Sequence, residues 1–266
     1  MTDAATGGRD TYGPHFVQSV ARALAVLRAF SAERPSLTLS EASRATGLDR
    51  ATVRRLLLTL SDLGYVRSNG RAFHLTPRTL ELGYAYLSSL SLPDIARPHL
   101  QRLAGTLNET AALTVLDGDD IVYLALVPSS RLTAVNISIG TRFKAYATSM
   151  GRVLLAGLPA AELNAYLDRI DLQPKTERTL RTPEQLRAEL DEVRARGWAL
   201  VDRELEDGLR GAAVPVRSRG GAVIAAVNVS VHADRTTPDF VEREYLPEIL
   251  RTVQLIEADL AGSTIG

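Results

Sequence analysis

Residues 39–75 constrain the chain most, because three kinds of local signal fall there in a fixed order. Residues 39–46 read as a short helix with Ser40 as its N-cap, and Gly47 supplies the tight turn after it. Asp49 then caps a third helix, in which Val53, Leu56, Leu57, Leu60 and Leu63 form one apolar stripe at i, i+3, i+4, i+7 and i+10. Gly64 closes that helix. The run YVRSNGRAFHL sets two β-prone segments around Asn69-Gly70, the pattern of a hairpin whose type I′ turn needs positive φ at both central residues. A first helix is expected from Phe16, with Val20, Ala23, Leu24, Leu27 and Phe30 at helical spacing, ended by Pro35. Three helices, the last two joined by a glycine turn and followed by a hairpin, make a winged helix-turn-helix.

The arginines give that scaffold a purpose. At 100° per residue Ala51, Arg54 and Arg55 point away from the stripe, Arg50 sits on its flank, and Leu58 faces outward with no assigned partner. Arg50, Thr52, Arg54 and Arg55 are therefore the candidates to enter a DNA major groove, since a guanidinium pairs bidentately with guanine or clamps a phosphate. Arg67 and Arg71, flanking the hairpin tip, are candidates for phosphate or minor-groove contact. The net charge is zero, but residues 1–80 hold 11 arginines against 6 acidic residues and residues 81–266 hold 20 basic against 25 acidic. A polyanion is thus expected to meet only the N-terminal part. The alternative is an interaction module whose arginines are merely solvated.

Residues 1–15 are small and polar and read as a mobile tail. Residues 16–76 form the winged domain, and residues 77–90, with Leu80, Leu82, Tyr84 and Leu87, read as a linker helix. From residue 91 to 262 the pattern is mixed. A helix near 94–108 leads to a hairpin around residues 117–120. A strand candidate AVNISI, a helix from Ser149, helices near 159–169 and 183–196, three strands and a C-terminal helix follow. Hairpin-linked strands with helices packed around them argue an α+β domain with a largely antiparallel sheet.

FVQSVARALAVLRAFSAERPSLTLSEASRATGLDRATVRRLLLTLSDLGYV, then YATSMGRVLLAGL and GWALVDRELEDGLRGAAVPV, resemble the IclR family of bacterial transcriptional regulators, over about residues 16–260. Within the family the last two segments are most similar to regulators of aromatic-acid catabolism, those answering to protocatechuate, 4-hydroxybenzoate or β-ketoadipate. The resemblance implies a winged helix-turn-helix, a linker helix and a GAF-like effector domain. It also implies a homodimer or tetramer on a pseudo-palindromic operator in double-stranded DNA, and a small aromatic or dicarboxylic acid as effector. By position it places effector contacts at Ser149, Met150, Gly211, Asn228 and Ser230. A further acidic family position falls at Val201, with Asp202 beside it. The glyoxylate-type members use a cysteine near Gly211, and its absence here argues for another ligand.

The residues themselves suit an acid. Backbone N–H groups at the start of the helix near Ser149, with the Thr148 and Ser149 hydroxyls, would receive a carboxylate. Arg142 or Lys144 would add charge and Tyr146 would stack on a ring.

An enzymatic reading competes on one motif. Ala147-Thr148-Ser149-Met150-Gly151 approximates a nucleophile elbow, and Asp202 and His232 follow in hydrolase order. That fold needs a parallel, doubly wound sheet, which short hairpins do not provide, so the chain is read as a regulator and not an enzyme. The absence of cysteine excludes disulfides and thiolate zinc sites, and His15, His74, His99 and His232 lack metal-ligand spacing, so no metal or cofactor is expected. No apolar run reaches the ~18 residues of a membrane span and the N-terminus lacks a secretory core, so a cytoplasmic location is the default expectation.

Overall fold

The computed structural model describes residues 13, 15–31, 33–82, 91–129 and 137–262. The chain divides into two compact units, residues 1–89 and residues 90–266. Most of the expected tail, residues 83–90 of the expected linker helix and residues 134–136 of the expected AVNISI strand lie outside the described residues, while residues 137–139 of that segment form a loop and turn and not a strand.

In the first unit α1 (Gln18–Arg28), β1 (Ser36–Leu37), α2 (Leu39–Thr46) and α3 (Arg50–Asp62) precede a hairpin of β2 (Val66–Ser68) and β3 (Phe73–Leu75). The strands form a three-stranded antiparallel sheet in the order β1-β3-β2. Val26, Leu37, Ala42, Val53 and Leu57 are all but inaccessible and form the core. Each large apolar side chain there contributes roughly 1.5–3 kcal/mol by leaving water.

Four local expectations change. The N-cap of α2 is Thr38, not Ser40, because Thr38 and Glu41 form a reciprocal capping box that Ser40 cannot make. Leu63 lies beyond the last helical turn of α3 and is 52% exposed, so the stripe ends at Leu60. In α1, Val20 and Leu24 are half exposed, while Leu27 and Phe30 pack on the core as expected and Val26 joins them. The hairpin is not type I′. Its central residues are Gly70 (φ 87) and Arg71, and Asn69 keeps a negative φ while its side chain accepts from the N–H groups of Arg71 and Ala72.

The second unit opens on α4 (Ser91–Leu107), which runs through Pro98, then β4 (Thr110–Asp117), β5 (Asp120–Val127) and β6 (Arg142–Lys144). After a 3₁₀ turn at Ala145–Ala147 come α5 (Ser149–Ala156), α6 (Ala160–Arg169), α7 (Pro183–Arg196), β7 (Ala199–Asp202), β8 (Leu209–Arg217) and β9 (Val223–His232). A helical turn, a π-turn at Val241–Tyr245 and α8 (Leu246–Gly262) finish the chain. The strands form a six-stranded sheet in the order β6-β5-β4-β9-β8-β7, antiparallel at every pair. Helices α4 and α8 pack against this sheet and α5 packs against strands from β4 to β9.

Helix α5 is buried along its whole length, as a run of mostly apolar residues on all sides requires. Gly151 permits this depth. A Cβ there would sit 2.0 Å from the carbonyl oxygen of Ala145.

Candidate functional site

Two groups of side chains stand out, one in each unit. On α3, Asp49 accepts from the N–H of Thr52 at 2.9 Å, which fixes the helix start. Hydrogen bonding from the Thr52 side chain, together with that from its backbone N–H, holds the Asp49 carboxyl below its ordinary pKa. The cap sets Arg50, Arg54 and Arg55 on the exposed side of a helix whose other side carries Val53, Leu57 and Leu60 into the core. Arg67 on β2 and Arg71 in the turn are exposed as well. Among the described residues none of these five guanidinium groups makes a hydrogen bond or ion pair. In the second unit Arg142, Arg152, Arg169, Arg178, Arg203 and Arg210 are ion-paired, while Arg97, Arg181, Arg219, Arg243 and Arg251 are exposed. What sets α3 and the hairpin apart is that their five free guanidinium groups fall on one helix and one adjoining turn, which makes an anion-seeking surface.

In the second unit a cavity opens where the N-terminus of α5 meets the sheet. It is lined by Thr148, Ser149, Met150, Gly211 and Ser230, with an apolar wall that includes Tyr123, Phe143 and Leu205. Val201, Gly211 and Ser230 are register partners across β7, β8 and β9. Gly211 faces Ser149, and a Cβ there would lie 3.0 Å from the Ser149 Oγ. Thr148 caps α5 by accepting from the N–H of Gly151 at 3.0 Å, which leaves the other first-turn N–H groups without intrahelical partners. The Ser149 Oγ is buried without a hydrogen bond, a state that costs roughly 1–3 kcal/mol. Ser230 accepts from Asn228 Nδ2 at 2.8 Å, so its own proton is free to point elsewhere. Tyr123 and Phe143 meet edge to face, centroids 6.1 Å apart, and burial pushes the Tyr123 hydroxyl's pKa up.

About 20 Å³ of the cavity admits the centre of a water molecule. That is the room of about one water. A roomier groove of about 480 Å³ runs past Leu154, Tyr166 and Arg169, but it is open to solvent and Arg169 there is already bonded to Asp119. The buried cavity has the better chemistry for an acid.

Several sequence candidates lie elsewhere. Arg142 sits on the edge strand β6, where its guanidinium donates to Asp117 at 2.6 Å and to Asp120 at 3.3 Å. Tyr146 is turned into the core, its hydroxyl donating to the Gln173 carbonyl at 2.7 Å. Asp202 is held by Arg178 at 2.5 Å and Arg210 at 2.7 Å. None of these three lines the cavity, because each has stronger local partners. Asn228 lies just behind Ser230 with its own Oδ1 unpaired. Tyr123, Ile137, Phe143, Leu205 and Leu209 line the cavity without having been singled out. Only the Tyr123–Phe143 pair left a trace in the sequence, as aromatic residues in neighbouring β-prone runs.

Among the described residues Ser149, Asp202 and His232 form no catalytic triad. Asp202 is committed to two arginines, His232 Nδ1 faces Asp234 at 3.8 Å, and Ser149 bonds to neither. Among the described residues no helix is long and apolar enough to cross a membrane.

Comparison with known proteins identifies both units by domain. Residues 19–70 match the IclR helix-turn-helix domain and residues 84–258 match the bacterial transcriptional regulator IclR C-terminal domain. The chain is similar to the Pca regulon regulatory protein of Pseudomonas putida, 47% identical over 90% of this chain and 83% of that one. It is 32% identical to the p-hydroxybenzoate hydroxylase transcriptional activator of Acinetobacter baylyi, covering 89% of each. A crystal structure of an IclR homolog from Microbacterium hydrocarbonoxydans complexed with 4-hydroxybenzoate superposes with TM-score 0.81 at 26% identity, over 92% of this chain and all of that one. The free arginines of a capped third helix, the antiparallel effector sheet and both domain matches place this chain in the IclR family of transcriptional regulators, not among enzymes.

Proposed function

We propose that the protein is a ligand-responsive regulator of an aromatic-acid catabolic operon of the β-ketoadipate type, acting on operator DNA in the cytoplasm. The observation that carries the DNA half is the set of unpaired arginines on α3 and the hairpin. In this reading Arg50, Thr52, Arg54 and Arg55 enter the major groove while Arg67 and Arg71 meet phosphates. Residues 16–76 bind DNA, residues 91–262 bind the effector and residues 77–90 couple them.

The effector is a small aromatic or dicarboxylic acid. Its carboxylate would meet the first-turn N–H groups of α5 and the Ser149 and Ser230 hydroxyls, and a ring would lie against Tyr123 and Phe143. The relatives named for the pca regulon, p-hydroxybenzoate hydroxylase and a 4-hydroxybenzoate complex support this choice. The cavity admits little more than a water, so such a ligand binds a state in which its walls have parted. Binding then shifts a population instead of filling a rigid hole.

The protein works as a homodimer or tetramer. Val17, Val20 and Leu24 are 57%, 55% and 50% exposed at i, i+3 and i+7, an apolar face that a second copy would cover. Two copies related by a two-fold axis would read a pseudo-palindrome.

The test is titration of the full-length protein against the DNA upstream of its own gene and against unrelated DNA, over a range of salt. Tighter binding to the upstream fragment, weakening steeply with salt, is expected. Equal weak affinity for every fragment would rule out sequence-specific regulation.

A further inference from the structure

Leu58 is 41% exposed in the middle of α3 and is not among the side chains packed on the core of its unit. It follows Arg54 and Arg55 by four and three residues and Ala51 by seven, so these four share one helix face. Ala51, Arg54 and Arg55 are exposed too. The hydroxyl beside Leu58, that of Thr59, is turned back to its own backbone, its Oγ1 donating to the Arg55 carbonyl at 3.0 Å. The outward face of α3 therefore presents two cations with an apolar group before and after them.

A water-exposed leucine one turn beyond two guanidinium groups suits the major-groove floor, where the one apolar feature of a base pair is the thymine C5-methyl. The geometry points to Leu58 as a specificity residue that covers a thymine methyl in each half-site. The inference rests on the groove placement of α3 given under the proposed function. Four residues of helix advance by about 6 Å, close to two base-pair steps of about 3.4 Å each. The thymine is accordingly expected about two base pairs from the contact made by Arg54.

The test replaces the thymines of the protected operator duplex one at a time by deoxyuridine, which lacks only the methyl group. Full-length wild-type protein and Leu58→Ala are each titrated against every duplex. At one thymine per half-site, loss of the methyl is expected to weaken wild-type binding about fourfold, the worth of one buried methyl-sized group, and to leave Leu58→Ala unaffected. Equal sensitivity of both proteins at every position overturns the inference. In that case weaker binding by Arg54→Ala or Arg55→Ala keeps the groove placement intact and removes Leu58 alone. If neither arginine variant binds more weakly, the groove placement falls together with the inference. A Leu58→Ala protein that sediments as a smaller species also overturns it, since Leu58 would then cover a second copy of the chain. An unchanged melting curve shows that the variant is folded, as expected at an exposed position.

Discussion

The Arg152 Nη2 lies 2.5 Å from the Glu204 Oε2, and both residues are buried, Arg152 to 2% exposure and Glu204 to 8%. The pair ties α5, which begins at the cavity with Ser149, to the segment between β7 and β8 that supplies Leu205 to the cavity wall. Burial pushes the Glu204 carboxyl's pKa above the ordinary glutamate value, and the Arg152 guanidinium opposes that only in part.

The two deletions should differ in how they respond to pH. Glu204→Gln leaves the buried Arg152, which cannot shed its charge, with Glu189 at 3.7 Å as its remaining partner, and is expected to cost up to about 3–5 kcal/mol. Arg152→Met leaves a buried carboxylate facing Glu189 and is expected to cost about 3–5 kcal/mol at neutral pH. A folded-state pKa above the unfolded one means that the group's contribution is present below the unfolded value and is lost as pH rises through the folded one. The defect of Arg152→Met should hence shrink on acidification toward the ordinary glutamate range. Urea unfolding at neutral and mildly acidic pH measures it.

At the cavity, Gly211→Ala places a methyl 3.0 Å from the Ser149 Oγ, a contact that a small shift of the serine relieves. Little loss of stability and at least a tenfold loss of effector affinity are expected, with operator affinity unchanged in the absence of acid. Ser149→Ala removes a buried hydroxyl that has no partner, so the fold should be as stable or more stable while effector affinity falls. Thermal shift with and without acid separates the two effects, because a ligand at about 100 times its Kd adds about 2.7 kcal/mol.

Gly151→Ala is the contrasting case. Its Cβ would meet backbone atoms of Ala145 at 2.0–2.5 Å, which no side-chain rotation relieves. A loss of about 3 kcal/mol or more is expected, seen as a lowered unfolding midpoint in urea.

On the DNA side, Arg54→Ala or Arg55→Ala should reduce operator affinity by about 1–3 kcal/mol where the arginine reads a base. Arg71→Ala should weaken all sequences alike and lower the salt slope by about 1. Affinity measured at several salt concentrations on operator and unrelated duplexes checks both, and the opposite pattern would exchange the roles of helix and hairpin.

The DNA-binding half was the more legible in the sequence, for a physical reason. Its signals are local: Asp49 caps, Gly47 turns left-handed at φ 67, and Val53, Leu57 and Leu60 mark a buried face. Errors arose where a residue competed with a near neighbour, as Ser40 did with Thr38, or where an apolar face met no core, as at Val20 and Leu24. By local pattern the cavity was legible only around the start of α5, where Thr148 and Ser149 carry their own helix-capping signal, whereas Gly211 and Ser230 on its wall were placed by family resemblance. Arg142 and Tyr146 have the right chemistry for an acid but are taken by Asp117 and the Gln173 carbonyl, partners 25 and 27 residues away. Tyr123, Leu205 and Leu209 come together only through strand order, which no local pattern encodes.

The most direct test of the account is the operator affinity of the full-length protein with and without 4-hydroxybenzoate, protocatechuate or β-ketoadipate at concentrations where thermal shift shows binding. At least one acid is predicted to change the operator Kd about 5- to 150-fold, the usual span of an allosteric coupling, and Gly211→Ala should blunt that change. An identical Kd with the cavity occupied would contradict the account.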